Sequence, residues 1–261
     1  MIPRISNKAS AIVLRSLDYG ESDRIITFYT DNFGKLKGIA KGARRSKKRF
    51  PNAFELFSCS SILFSRSSRG LALVEGCDVT NYYSGIRSDL EGTLVASYFV
   101  DLVNQFTVEG KKSRSLFQLL HDFLGLLETG NCLETMMSLF ELRLLKLTGF
   151  EPVLDRCAAC RIPLDDLRAY CDMSLMFNPA DGGIKCPGCG FNNRDSFPVS
   201  LGTIKTLLMG KEMRLDKIDR LRFSEQAAFE SREILNRFIR HILGKELRSL
   251  NVLNQIREMR V

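Results

Sequence analysis

A chain of 261 residues has room for two or three hydrophobic cores. Its 44% hydrophobic and 26% charged content, with only 7 prolines, excludes an extended disordered region or a low-complexity linker. The formal charge of +8 is unevenly spread: residues 1–80 hold 14 Lys/Arg against 7 Asp/Glu, a net of +7, whereas residues 81–261 hold 24 against 23, a net of +1.

From Ser10 the chain reads as short strands separated by turn residues: Ala11–Leu17, Arg24–Thr30 and Lys35–Ala40, punctuated by Tyr19-Gly20 and Asn32–Gly34. In the third of these, Lys35, Lys37 and Lys41 share one parity with Ile39 between them, and Leu36, Gly38 and Ala40 take the other. That is the two-residue period of a half-buried strand with a charged outer face. After Gly42 the alternation stops, and Arg44, Arg45, Lys47, Lys48 and Arg49 follow as a block with no apolar side, which predicts a basic loop. Eight of the sixteen residues in Gly34–Arg49 are cationic and none is acidic. A lysine-paved strand running into such a loop suits a polyanion, and nucleic-acid backbones bind Lys and Arg with release of counterions.

Two further strands, Phe54–Ser65 and Leu71–Val79, flank Ser67–Gly70 as a hairpin. Five short strands in about 80 residues make a small closed barrel. The OB-fold is the expectation, and an SH3-like barrel stays open on strand count alone. Of the aromatics Tyr19, Phe28, Tyr29, Phe33, Phe50 and Phe57, most are expected in the core, with Tyr29 the candidate for exposure because it is out of phase with Ile26 and Phe28.

Beyond Tyr83 the period changes. Asp89–Thr107, Ser113–Glu128 and Leu133–Thr148 carry apolar residues at three- and four-residue intervals and predict helices, with Leu139–Leu147 as a central core segment. Helical spacing resumes at Leu201–Met209 and Ser224–Leu243, with Ser224 as N-cap and Gly244 as the C-terminal stop.

Between these helices lie Cys157-Ala-Ala-Cys160 and Cys186-Pro-Gly-Cys189, 25 residues apart, the second followed by Gly190. Two CxxC turns at this spacing predict a zinc ribbon in which four thiolates hold one structural Zn²⁺ per chain and leave no open coordination position. Ala169–Asp172 and Leu175–Asn178, followed by Pro179–Gly183, are expected to form the hairpin that joins the two turns. Cys171 lies inside that hairpin as a competing ligand. Cys59, Cys77 and Cys132 read as ordinary buried residues. Paired cysteines fit a reducing compartment. Met1–Leu17 has no apolar signal core, and no run approaches the roughly 18 apolar residues that span a bilayer, so a cytoplasmic protein with no membrane partner is expected.

No GxxxxGK[ST], HExxH or GxSxG occurs, and the two histidines, His121 and His241, lie outside any HxE element, so the sequence points away from an enzyme.

The stretch Gly34-Lys35-Leu36-Lys37-Gly38-Ile39-Ala40-Lys41-Gly42-Ala43-Arg44-Arg45, the earlier Tyr19-Gly20-Glu21-Ser22-Asp23-Arg24, and Leu147-Thr148-Gly149-Phe150-Glu151-Pro152 before the cysteine segment together resemble the bacterial recombination-mediator family RecO over nearly the full length. The first cysteine turn departs from the second, since Arg161 stands where the second has Gly190. The resemblance implies an N-terminal OB-fold, a central helical domain and a four-cysteine zinc site. It also implies a non-enzymatic, nucleoid-associated DNA-repair protein that binds single- and double-stranded DNA and anneals complementary strands. Its partners would be a RecR-like ring protein and the tail of the single-stranded-DNA-binding protein, in loading RecA.

The fold expected is therefore α+β and multidomain: residues 1–80 a five-stranded OB-fold β-barrel for nucleic acid, residues 81–261 an all-α helical domain, and residues 153–197 its zinc-binding insertion. Phosphate neutralisation falls to Lys35, Lys37, Lys41, Arg44, Arg45, Lys47, Lys48 and Arg49. The alternative that the charge pattern alone permits is an RNA-binding or ribosome-associated OB protein.

Overall fold

The computed structural model describes residues 5–46, 49–50, 53–66, 70–129, 132–166, 175–190 and 195–259. Strands β1 (Ser6–Tyr19), β2 (Asp23–Thr30), β3 (Gly34–Ala40), β4 (Cys59–Ser65) and β5 (Ala72–Asn81) close into a barrel in the order β1-β2-β3-β5-β4. Neighbours are antiparallel except β3 and β5, which run parallel through Gly38–Ala72 and Ile39–Leu73. This is the five-stranded OB barrel, not the SH3-like alternative.

β1 extends beyond the expected Ala11–Leu17 at both ends because it serves two partners. Residues 6–12 pair with β4 and residues 11–19 with β2, with a register shift between Val13 and Arg15. A bulge of this kind bends one strand around the corner of a small barrel. Val13, Ile26, Phe28, Ile62, Phe64 and Val74 fill the interior. β4 begins only at Cys59, not at Phe54. Phe54 and Phe57 take left-handed backbone angles, φ 74° and 54°, and both rings are buried. The Phe57 N–H donates to the Val13 carbonyl at 2.9 Å, so this segment turns where an extended strand is expected.

By internal contacts the chain divides into two units, Met1–Gly130 with Arg248–Val261, and Asn131–Leu247. The division differs from a split at residue 80. Helices α1 (Ser84–Ser88), α2 (Leu90–Phe106) and α3 (Arg114–Leu127) belong with the barrel. The Lys35 ammonium donates to the Asn104 carbonyl at 2.6 Å, the Gly110 N–H to the Lys35 carbonyl at 3.0 Å, and Arg87 to the Leu56 carbonyl at 2.8 Å. Gly34 is held in the left-handed region, φ 67°, and a Cβ on it would strike the Lys111 carbonyl. The C-terminal helix of the chain returns to this unit through Arg257–Glu91 at 2.8 Å and Ser249–Asp101 at 2.6 Å.

The second unit contains α4 (Leu133–Thr148), β6 (Leu175–Asn178), β7 (Gly183–Lys185), α5 (Pro187–Gly190), β8 (Phe197–Val199), α6 (Leu201–Glu212), a 3-10 helix over Leu215–Arg220, and α7 (Glu225–Leu243). The C-terminal helix (Arg248–Glu258) of the first unit is thus α8. Leu139, Phe140, Leu142, Leu144 and Leu145 of α4 are fully buried, as its apolar run requires. Ser224 caps α7 by accepting the Ala227 N–H at 3.1 Å, and Gly244 ends it at φ 66°. Strands β7-β6-β8 form a small antiparallel sheet. The expected partner segment Ala169–Asp172 lies outside the described residues, as does Cys171; the hairpin on Leu175–Asn178 is made with Gly183–Lys185.

Candidate nucleic-acid interface and candidate metal centre

The expected alternation on β3 is present: Leu36, Gly38 and Ala40 are buried, Lys37 is exposed, and Lys35 and Ile39 are half-buried. The eight candidate cations nonetheless differ in what surrounds them. Lys35 is turned into the first unit, its ammonium bonded to the Asn104 carbonyl; burial lowers its pKa, with Lys37 adding and Glu109 opposing. Lys37 pairs with Glu109 at 2.7 Å, and Lys41 is exposed. Arg44 lies 3.5 Å from Asp18 and donates to the carbonyls of Gly20 and Glu21. Arg45 faces Glu21 at 3.4 Å. Arg49 is exposed over the Phe50 ring at 4.9 Å. Lys47 and Lys48 lie outside the described residues.

The turn between β1 and β2 and the basic loop are clamped together. Arg44 N–H donates to the Ser22 carbonyl at 2.9 Å, and Gly42 N–H to the Asp23 carboxylate at 2.8 Å. That Gly42 amide holds Asp23 below the usual carboxylate range, and Lys41 contributes. The clamp explains why Tyr19–Arg24 and Lys41–Arg45 occur in one chain: the first segment is the platform that orders the second. Two cations of this surface were outside the expected set. Arg24 shares Asp18 with Arg44, at 3.1 Å, and exposed Arg15 lies in register with Thr27 and Lys37. Arg24 sits inside a recognisable motif, but nothing in that motif says which way it points.

Tyr29 corrects the expectation of exposure. It does face away from the barrel core, yet it is only 1% exposed, because the connection between α2 and α3 covers it and its hydroxyl donates to the Ser113 carbonyl at 3.5 Å. Burial pushes its pKa up to about 12. Tyr19, at the end of β1, is the exposed ring. Surface ion pairs such as Arg45–Glu21 are worth about 0–1 kcal/mol each, so these carboxylates hold the cations only weakly.

In the second unit the sulfurs of Cys157, Cys160, Cys186 and Cys189 all lie within 4.8 Å of one another. Cys160 Sγ and Cys186 Sγ are 3.7 Å apart. A tetrahedral ion bound by thiolates at about 2.3 Å requires sulfur–sulfur edges of about 3.8 Å, so the four donors fit one ion. The first turn is pinned to the sheet by Ala158 N–H to Ile184 O, 2.7 Å, and Val153 bonds Gly182 and Ile184. Gly183 allows that approach, since a Cβ there would lie 2.5 Å from the Val153 carbonyl. Burial raises the Cys157 thiol, but amide donors from Cys186, Cys160 and Ala159 outweigh it and bring the pKa to about 6. Burial and the neighbouring sulfurs push Cys186 up to about 12. Four thiols in one cluster ionise stepwise, and a cation removes that penalty. Arg161 takes φ 68°, a left-handed angle for an arginine, at the place corresponding to Gly190. Four protein sulfurs would fill the coordination sphere of a tetrahedral ion, so such a group could hold a lobe together but would offer a substrate no position.

Among the described residues no helix is long and apolar enough to cross a membrane. Residues 4–83 match the family model described as Recombination protein O N terminal, and residues 87–251 the one described as Recombination protein O C terminal. The chain is 49% identical over 262 residues to a DNA repair protein RecO of Syntrophus aciditrophicus, covering 99% of both chains. Similar proteins of the same description occur in Desulfatibacillum aliphaticivorans, at 36% identity with 95% of this chain and 96% of the relative covered, and Geobacter metallireducens, at 35% with 96% and 98% covered.

Proposed function

This chain belongs to the RecO family, and we propose that it works as a DNA-repair and recombination mediator that acts by binding and not by catalysis. The observation that carries the reading is the basic surface assembled on an OB barrel: Lys37, Lys41, Arg44, Arg45 and Arg49, joined by Arg24 and Arg15, on and around strands β2 and β3. Such a surface binds phosphates of single and double strands alike, and two strands neutralised on one protein lose the repulsion that slows their pairing. Annealing follows from that chemistry. Action beside a RecR-like ring and the single-stranded-DNA-binding protein, to let RecA load, extends the reading through the family. The cysteine cluster would hold one Zn²⁺, the ion whose thiolate bond length and tetrahedral preference match the four sulfurs, and the ion would fix the β6–β8 lobe. A cytoplasmic, nucleoid-associated protein with free thiols is consistent with this chemistry.

The test is annealing of complementary labelled strands coated with single-stranded-DNA-binding protein, without nucleotide, by the native protein and by Arg44→Glu/Arg45→Glu. Acceleration lost in the variant supports the reading. No acceleration by the native protein, with tighter binding to a matched RNA, would replace it with an RNA-binding role.

A further inference from the structure

The barrel register lines up one aliphatic side chain from each of four strands on its outer face. Leu17 of β1 stands opposite Ile25 of β2, Ile25 opposite Ile39 of β3, and Ile39 beside Leu73 of β5. Ile26, Gly38, Ala40 and Ala72, the chain neighbours of Ile25, Ile39 and Leu73, are buried, so these three point away from the core, and Leu17, in register with Ile25, shares their face. Ile25, Ile39 and Leu73 are half-buried, and Leu17 is 45% exposed. Tyr19, two residues on from Leu17 and on the same face, is 55% exposed.

Cross-strand aliphatic pairs stabilise a sheet, but that role does not require them to stay open to water. The flanks of this stripe are charged on both sides. Along β3 the outward sequence is Lys37, itself paired with Glu109, and then Ile39, about 7 Å apart, and exposed Lys41 follows in the turn just past the end of the strand. Arg15 continues the Lys37 side through Thr27, and Arg44, bonded to the turn at Ser22, continues the Lys41 side.

We propose that this stripe receives unstacked bases, with Tyr19 as the stacking ring, while the flanking cations hold phosphates of the same single strand. The proposal rests on the DNA-binding reading and adds to it that affinity for a single strand has an apolar part. Cations on both sides of an apolar row match a strand whose charged backbone and apolar base faces must be met together. In a duplex the bases are already stacked and paired, so a duplex uses the cations only.

The experiment compares the native protein, Leu17→Ser/Tyr19→Ser and Arg44→Glu/Arg45→Glu on three probes of equal length: an oligothymidine strand, an abasic strand and a duplex. The stripe variant is expected to lose about tenfold or more on oligothymidine, the size of losing a base–aromatic stack, with abasic and duplex affinities and the salt slope unchanged. Tyr19→Phe should keep the native affinity, since it retains the ring. The chain has 6 Tyr and no Trp, so quenching of tyrosine emission by oligothymidine should shrink in the stripe variant. Both positions are exposed, and equal melting temperatures confirm an intact barrel. A stripe variant that binds all three probes as the native protein does, or loses equally on all three, overturns the stripe while leaving DNA binding in place. A native protein that binds none of the probes overturns the DNA-binding reading itself.

Discussion

The barrel surface and the cysteine lobe solve opposite problems. The barrel has its own closed core of Val13, Ile26, Phe28, Ile62, Phe64 and Val74, and its exposed cations, unlike the inward Lys35, take no part in that core. The lobe has strands of four, three and three residues, too few to bury a core of their own, and its four sulfurs converge where a core would be. Changes on the first should therefore alter affinity in graded steps with stability kept. Changes in the second should alter stability abruptly with affinity kept.

The largest test of that contrast is Cys186→Ala/Cys189→Ala. If the four sulfurs hold one metal ion as proposed, losing two of them should abolish binding of about one metal equivalent and lower stability by about 3 kcal/mol or more, read as a fall in melting temperature. DNA affinity of the protein still folded should not change. Metal-stripped native protein that melts with the loaded form would break the contrast from the lobe side.

Gly34→Ala tests it from the barrel side, because this glycine opens the basic segment yet lies where a Cβ would strike the Lys111 carbonyl. A left-handed angle and a backbone clash together should cost about 2–4 kcal/mol in thermal or denaturant unfolding, an effect on stability inside a region otherwise concerned with charge. Lys35→Gln should behave in the same sense at about 1 kcal/mol, since its ammonium satisfies the Asn104 carbonyl. Arg44→Glu/Arg45→Glu should do the reverse. If about five phosphates of a single strand are engaged, log K falls with log salt at a slope of about −3.5, and removing two contacts should flatten it by about 1.4, with a much smaller fall in melting temperature than Gly34→Ala gives because the Arg44 and Arg45 ion pairs are exposed.

These opposite expectations for neighbours in one basic run show what the sequence could and could not display. The alternation Lys35–Ala40 was legible because a two-residue period is local, and the cysteine turns were legible because each CxxC closes within four residues. That Lys35 and Tyr29 are covered was not, since the cover comes from Asn104, Gly110 and Ser113, some 70 to 85 positions along the chain. The stripe Leu17, Ile25, Ile39 and Leu73 is invisible for a related reason: it exists only once four strands have a register. Nor does periodicity announce α8, whose place beside α2 is set by Arg257–Glu91 and Ser249–Asp101.

The two cysteine turns give the finest version of the comparison, within the lobe itself. After Cys189 stands a glycine; after Cys160 stands Arg161, with φ 68° and its N–H bonded to the Cys157 carbonyl at 3.0 Å. A non-glycine residue in the left-handed region is strained by about 1 kcal/mol, whereas glycine adopts it freely but loses more entropy on folding. The two effects partly cancel, so Arg161→Gly should stabilise the metal-loaded protein by about 0.5 kcal/mol, a rise of a few degrees at most in melting temperature. The same variant should hold its metal slightly more tightly against a chelator, because the turn no longer has to be forced into the ligating shape by the metal. A fall in stability would mean that the Arg161 side chain contributes more than its backbone costs, and the first turn would then be held by contacts that the second does not need.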